Sequence, residues 1–182
     1  MTLRGESGLT FIEVLVVMLI MGGVIGSLTT VFVSGMRAEQ QMSQRFQVQN
    51  QARTALDRLR RDVHCASTLS SGWTSSSVTL VNDCSPQGSV TWCTQPSANG
   101  FAVHRAVAGP CTAASPLHAD HLNTWDVFEY QAASDESLAR LRVDFPVQLQ
   151  SMQVPYRVCD QIALRNAWRT NAPLTSTLTA CP

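Results

Sequence analysis

The stretch Val14–Met36, VLVVMLIMGGVIGSLTTVFVSGM, contains no charged residue. A helix that crosses a membrane needs about 20 mostly apolar residues at about 1.5 Å rise each, and Val14–Val33 alone meets that length. A core helix of a soluble domain would carry a polar face, and no polar residue occurs here before Ser27 apart from glycine. A cleavable secretory signal has an apolar region of about 7–15 residues behind a basic start. This run is longer, and Met1–Gly8 offers only Arg4, offset by Glu6. The expected element is one membrane-spanning helix.

Just upstream, Glu13 stands one residue before the uncharged run. An ionised carboxylate within a bilayer costs about 2.5 kcal/mol or more at the centre, and such residues ordinarily have a partner. The surrounding string Glu6-Ser7-Gly8-Leu9-Thr10-Phe11-Ile12-Glu13-Val14-Leu15 resembles the type IV prepilin processing site. In that family a prepilin peptidase cuts after the glycine and N-methylates the new first residue, and the fifth mature residue is glutamate. The resemblance implies cleavage between Gly8 and Leu9, N-methylation of Leu9, and an assembly role for Glu13. Gly5 does not fit, because cutting after it would put Thr10 in the glutamate position. Leu9 departs from the commoner phenylalanine but keeps the first residue apolar. The new ammonium of one subunit would then neutralise the buried carboxylate of a neighbour.

Gly22 and Gly26 have the small-xxx-small spacing that lets helices approach closely in lipid; the same glycines also make a helix easier to unwind. Major pilins often carry a proline eight residues after Gly22, where this chain has Thr30.

Beyond the span, Arg37–Ala66 contains no Gly or Pro. Met42, Phe46, Ala52, Leu56, Leu59 and Val63 recur at mostly helical spacing, with Arg45, Gln49, Arg53, Asp57, Arg58, Arg60, Arg61 and Asp62 between them. That pattern predicts an amphipathic continuation of the same helix. The reading gives Asp57 and Arg61 as an i,i+4 pair on a solvated face. The stretch from Ala55 to Val63, and more weakly Leu164-Arg165-Asn166, is similar to minor pilins and J-type pseudopilins. Thr10 to about His64 would form one helix of roughly 80 Å.

The remainder reads as β-rich. Ser67–Ser77 ends the helix with serine-rich punctuation. Val78–Val81 and Val90–Cys93 look like a hairpin turning through Ser85–Gly88, and Phe101–Arg105 like a third strand. Cys111–Asn123 reads as a loop, and Trp125–Tyr130 as a strand. Leu138–Val147 alternates cleanly, with Leu141, Val143 and Phe145 on one face and Arg140, Arg142 and Asp144 on the other. Val154–Leu164 would be the last strand, with Pro155 confining it to an edge or a strand start. The expected fold is α+β: one long N-terminal helix packed on an antiparallel sheet, pilin-like. The expected segments are a leader at 1–8, a transmembrane half-helix at 9–36, an amphipathic half-helix at 37–66, and an extracytoplasmic domain at 67–182.

All six cysteines follow the span, which fits disulfides in an oxidising compartment. The expected pairs are Cys84–Cys93 across the hairpin, Cys159–Cys181 pinning the C-terminal segment, and Cys65–Cys111. Mature pilins often close their C-terminal region in this way, which supports Cys159–Cys181. No CxxC is present, which argues against a four-cysteine zinc site.

Thirteen arginines balance thirteen acids over 182 residues, there is no lysine, and only 14% of residues are charged. That excludes a strongly basic nucleic-acid binder. His118-Ala119-Asp120-His121 is the one cluster that invites metal or acid–base chemistry, and it lacks a third ligand in sequence. Asp135-Glu136 reads as plain surface rather than a calcium site. No nucleophile triad, phosphate loop or dinucleotide fingerprint is visible. The expectation is therefore no enzyme, no metal and no cofactor. The chain reads as a structural minor subunit of a type IV pilus, competence or type II secretion filament in the bacterial cytoplasmic membrane. Its implied partners are the prepilin peptidase, other pilins or pseudopilins, and the inner-membrane assembly platform. The alternative is a tip adhesin or ligand-binding module on the same stalk. Exposed members of Trp73, Trp92, Trp125 and Trp168 would then meet DNA, a surface or a secreted protein.

Overall fold

One α-helix, α1, runs unbroken from Phe11 to Cys65. It stays continuous through Gly22, Gly23, Gly26 and Thr30, and no proline interrupts it. The computed structural model describes residues 10–82, 84, 86, 88–134, 137–149, 155–167 and 178–181. Contacts divide the chain into two compact units, Met1–Gln44 and Arg45–Pro182. The first consists, where described, of the N-terminal part of α1, and this part is long and apolar enough to cross a membrane. Within the uncharged run 14–36 the four hydroxyl groups each donate to a carbonyl about one turn back: Ser27 to Val24, Thr29 to Ile25, Thr30 to Ser27 and Ser34 to Val31, at 2.7–2.8 Å. Polar hydrogens are thus satisfied within the helix, as an apolar surrounding requires.

The second unit is the C-terminal part of α1 packed on an antiparallel sheet of eight strands, so the architecture is α+β. The strands are β1 (Ala66–Leu69), β2 (Ser77–Asn82), β3 (Ser89–Ser97), β4 (Gly100–Val107), β5 (Leu117–Leu122), β6 (Phe128–Gln131), β7 (Arg140–Val147) and β8 (Tyr156–Ala163). β1 to β5 follow in order, and β5 then meets β7 at Leu122↔Val147. Arg142 of β7 faces both Glu129 of β6 and Gln161 of β8, so these strands flank β7 on opposite edges. β5 and β6 therefore share one edge of β7, and β8 has the other.

Three strand expectations change. Ala66–Leu69 is a strand rather than loop, because it pairs with β2 immediately after the helix ends. Leu117–Leu122, read as loop, is β5. Its bulged pairing with β4 hides the alternation that would mark a strand in sequence. The expected strand at Trp125–Tyr130 shortens to Phe128–Gln131 and leaves Trp125 in a loop.

The core forms where α1 meets the sheet. Ala55, Leu56, Leu59 and Val63 pack with Val78, Leu80, Val90, Trp92, Val103, Leu141, Val143, Phe145 and Ile162. Leu141, Val143 and Phe145 are fully buried on the apolar face expected of that alternation. The apolar stripe of the helix differs from its sequence reading at both ends. Val48 is its first buried residue, whereas Met42 and Phe46 are 75% and 64% exposed. Asp62, placed on the solvated face, is buried. It accepts from Trp92 Nε1 at 2.9 Å and from Arg105 Nε and Nη2 at 2.8 and 3.1 Å. Asp57 pairs with Arg60 at 3.2 Å rather than with Arg61, and Arg60 also reaches Asp160 at 2.7 Å.

The polar face of β7 is covered in part: Arg140 is exposed, but Asp144 is not. Asp144 is buried between Arg142, at 3.0 Å, and Arg157. Arg142 also pairs with Glu129, whose carboxylate accepts from Thr179 of the C-terminal segment.

The disulfides are Cys65–Cys84, Cys93–Cys111 and Cys159–Cys181. The last is as expected, and the pairs Cys84–Cys93 and Cys65–Cys111 are corrected. The register explains why. Cys93 lies opposite Ser77, at the far end of the β2–β3 hairpin from the turn that holds Cys84. The pairing Ala66↔Asn82 instead brings Cys65 to that turn. Cys93 pairs across the sheet with His104, and Cys111 Sγ lies 3.5 Å from the His104 carbonyl, beside Cys93.

Candidate functional site

Of the residues that the sequence singles out, Glu13 stands in the first turn of α1. Thr10 is the cap. Its carbonyl accepts from Glu13 N and Val14 N at 3.0 and 3.3 Å. Glu13 Oε2 reaches back to accept from Thr10 N at 3.1 Å and from Thr10 Oγ1 at 3.0 Å. This is the glutamate half of a capping box, and it sets a carboxylate at the positive end of the helix dipole. The sequence reading missed Thr10 as a functional partner, although the Thr-x-x-Glu spacing is its signature. Glu13 thus has a local partner in the single chain, on a helix whose next residues are all apolar and exposed. Gly8 and Leu9 lie outside the described residues. A side chain added at Gly22 or Gly26 would meet nothing within 4 Å, so both glycines present bare backbone on an open face of the helix.

The histidine cluster is dispersed by its own strand. His118 lies against the Trp92 ring, centroids 5.1 Å apart. Asp120 accepts from Ser97 Oγ at 2.7 Å, Asn99 Nδ2 at 3.0 Å and the His121 backbone N–H at 2.7 Å. His121 holds a left-handed backbone, φ 63°. Among the described residues no three His, Cys, Asp or Glu side chains come close enough to hold a metal. Asp135 and Glu136 lie outside the described residues.

The electrostatics of the cluster predict an acid response. Burial, then Arg58 and Arg105, push the His118 imidazole below its ordinary 6.5, against an upward pull from Asp62. Burial raises the Asp120 carboxyl, but its hydrogen bonds from Ser97, Asn99 and His121 outweigh that and leave it below its ordinary 3.8. In both cases the unfolded chain binds the proton more readily, so stability falls as pH falls. Of these two groups, His118 is the one that acts between about pH 7 and pH 5, because the carboxyl loses its share below 3.8. We expect the melting temperature to drop over that range, and His118→Gln to flatten the drop.

The tryptophans separate. Trp92 is fully buried, Trp73 is 37% exposed against Tyr130, Trp125 is 58% exposed, and Trp168 lies outside the described residues. Comparison with protein-family models, with curated proteins and with solved structures finds no match for this chain.

Proposed function

We propose that this chain is a structural minor subunit, a minor pilin or pseudopilin, of a type IV pilus, competence or type II secretion filament. The single observation that carries the reading is the order Gly8-Leu9-Thr10-Phe11-Ile12-Glu13 at the head of a long uncharged helix. A prepilin peptidase would cut after Gly8 and methylate Leu9. The processed helix anchors the chain in the cytoplasmic membrane, with the disulfide-bonded unit on the extracytoplasmic side, where its three bridges persist. From there the assembly platform passes it to other pilins or pseudopilins. In the filament the Leu9 ammonium of one subunit meets the Glu13 carboxylate of its neighbour. That exchange replaces the weak exposed Thr10 contact with an ion pair in an apolar surrounding. Removing one member of such a pair leaves an uncompensated charge, worth about 3–5 kcal/mol. The role is structural, and no catalytic step is assigned to it.

The test is made in cells that carry the processing enzyme. Intact mass of the native product is expected to begin at a methylated Leu9, and the peptidase deletion to restore residues 1–8. Glu13→Leu is expected to be inserted and cut normally but to be strongly depleted from sheared filaments. A product that retains the first eight residues in peptidase-positive cells overturns the reading, as does wild-type incorporation of Glu13→Leu.

A further inference from the structure

Among the described residues, Trp125 is the most exposed aromatic side chain of the second unit outside the helix, and its loop is tightly held. Its carbonyl accepts from Thr94 Oγ1 at 2.7 Å. The next residue, Asp126, is bound by Ser75 Oγ and by its own N–H to Thr124 Oγ1. Val127 N donates to Ser75 O at 2.9 Å. The indole leans on Phe101, ring centroids 6.5 Å apart. Held on a pinned loop against Phe101, the indole offers solvent a rigid aromatic face of the kind enriched at binding surfaces.

Phe101 leads directly to a cleft. It follows Gly100 and pairs with Leu122, and both of these line a cleft of about 270 Å³ together with Asn99, Asn123, Gln148 and Leu149. Two backbone outliers shape this cleft. Gly100 has φ +119°, and a Cβ there would come within 2.5 Å of the Leu122 carbonyl oxygen, so only glycine lets the β3–β4 turn close on β5. His121, next to Leu122, is the left-handed residue of β5, and its carbonyl accepts from Gln148 N at 2.8 Å. Strain in a non-glycine residue persists where the surroundings hold it, and it concentrates at functional sites.

The cleft lining carries no charged side chain: its polar groups are three amides and backbone. Asn123 Nδ2 donates to Gln148 Oε1 at 3.3 Å. This leaves Asn123 Oδ1 and Gln148 Nε2, one acceptor and one donor, without a partner among the described residues. The Phe101–Trp125 pair adjoins the cleft through Gly100 and Leu122, and aromatic rings next to paired neutral amides suit a ring with an apolar C–H face and vicinal hydroxyls that both give and accept hydrogen bonds. An anionic ligand would find no cation in the cleft, and a purely apolar one would leave the amides unpaired.

We propose that Trp125, Phe101 and the Asn99–Asn123–Gln148 cleft form a binding site for a neutral glycan. The site lies wholly within the second unit and does not depend on how the N-terminal helix is processed or assembled.

The test uses the full-length protein in a detergent without a sugar headgroup. Cellohexaose, maltohexaose and N-acetylchitohexaose are titrated separately by calorimetry, alongside an apolar uncharged peptide. At least one of the three is expected to bind with Kd of roughly 0.1–1 mM, as suits a shallow, largely preformed site. Trp125→Ala should weaken that binding about tenfold, Trp125→Tyr should retain most of it, and Asn123→Ala should weaken it while the melting temperature stays near wild type. The inference is overturned if none of the three sugars binds, if Trp125→Ala binds as tightly as wild type, or if only the peptide binds.

Discussion

Asp62→Ala lowers the stability of the unit Arg45–Pro182 by about 3–5 kcal/mol, measured by urea unfolding of the full-length protein in detergent and followed by tryptophan emission. Asp62 lies on the buried side of α1 and is the common acceptor for two groups from different strands. Trp92 Nε1, on a fully buried side chain, donates at 2.9 Å, and Arg105 binds both carboxylate oxygens at 2.8 and 3.1 Å. Removing the carboxylate strands a guanidinium whose side chain is only 15% exposed. It also strands an indole N–H, an unsatisfied buried donor worth about 1–3 kcal/mol. These two losses predict different behaviour for two further variants. Asp62→Asn keeps an acceptor for Trp92 but not the charge for Arg105, so it recovers only part of the loss. Asp62→Leu combined with Arg105→Met removes both charges and leaves only the indole unpaired. Its deficit should shrink to about 1–3 kcal/mol. A double variant no better than Asp62→Ala would mean that the ion pair is not what makes the single substitution costly.

Leu59→Ala costs about 2–5 kcal/mol in the same assay. Leu59 is fully buried at the centre of the contact between helix and sheet, in the cluster that also holds Val63, Leu80, Trp92 and Phe145. Truncation removes apolar area and leaves a cavity between two regular elements, neither of which can collapse into it without bending. Phe46→Ala is the internal comparison. It removes a larger side chain from the same helix, but one that is 64% exposed, and its effect should stay within about 0.5 kcal/mol. If both variants lost the same stability, the buried seam would not begin at Val48.

The contrast between Phe46 and Leu59 also marks how far the sequence can be read. Met42, Phe46, Ala52, Leu56, Leu59 and Val63 form one periodic series, and periodicity carries no information about where the sheet stops. Asp62 sits one position from Val63 and so falls near the edge of the stripe. Only a partner on another strand decides whether a carboxylate there is solvated or buried, and Arg105 is 43 positions away. The histidine cluster shows the same limit. Its spacing alone left ligands conceivable, and it is the fold that aims His118 at Trp92 and ties Asp120 to Ser97 and Asn99.

What is local in this chain was legible in one dimension. The length of the uncharged run, the absence of Gly and Pro from 37–66 and the alternation of 140–147 each act over a few residues, so their consequences follow from neighbours alone; the Thr10-x-x-Glu13 spacing is equally local, though its cap was overlooked. Two of the three disulfide pairs, the burial of Asp62, the emergence of β5 and the meeting of Asn99, Asn123 and Gln148 came only with the folded chain. Each depends on strand register, and a shift of one residue in register changes which distant side chains meet. The cysteine pairs illustrate this most directly. A bridge across the hairpin was expected to join Cys84 with Cys93, while the hairpin's pairing places those residues at opposite ends, where Cys84 meets Cys65 and Cys93 meets Cys111.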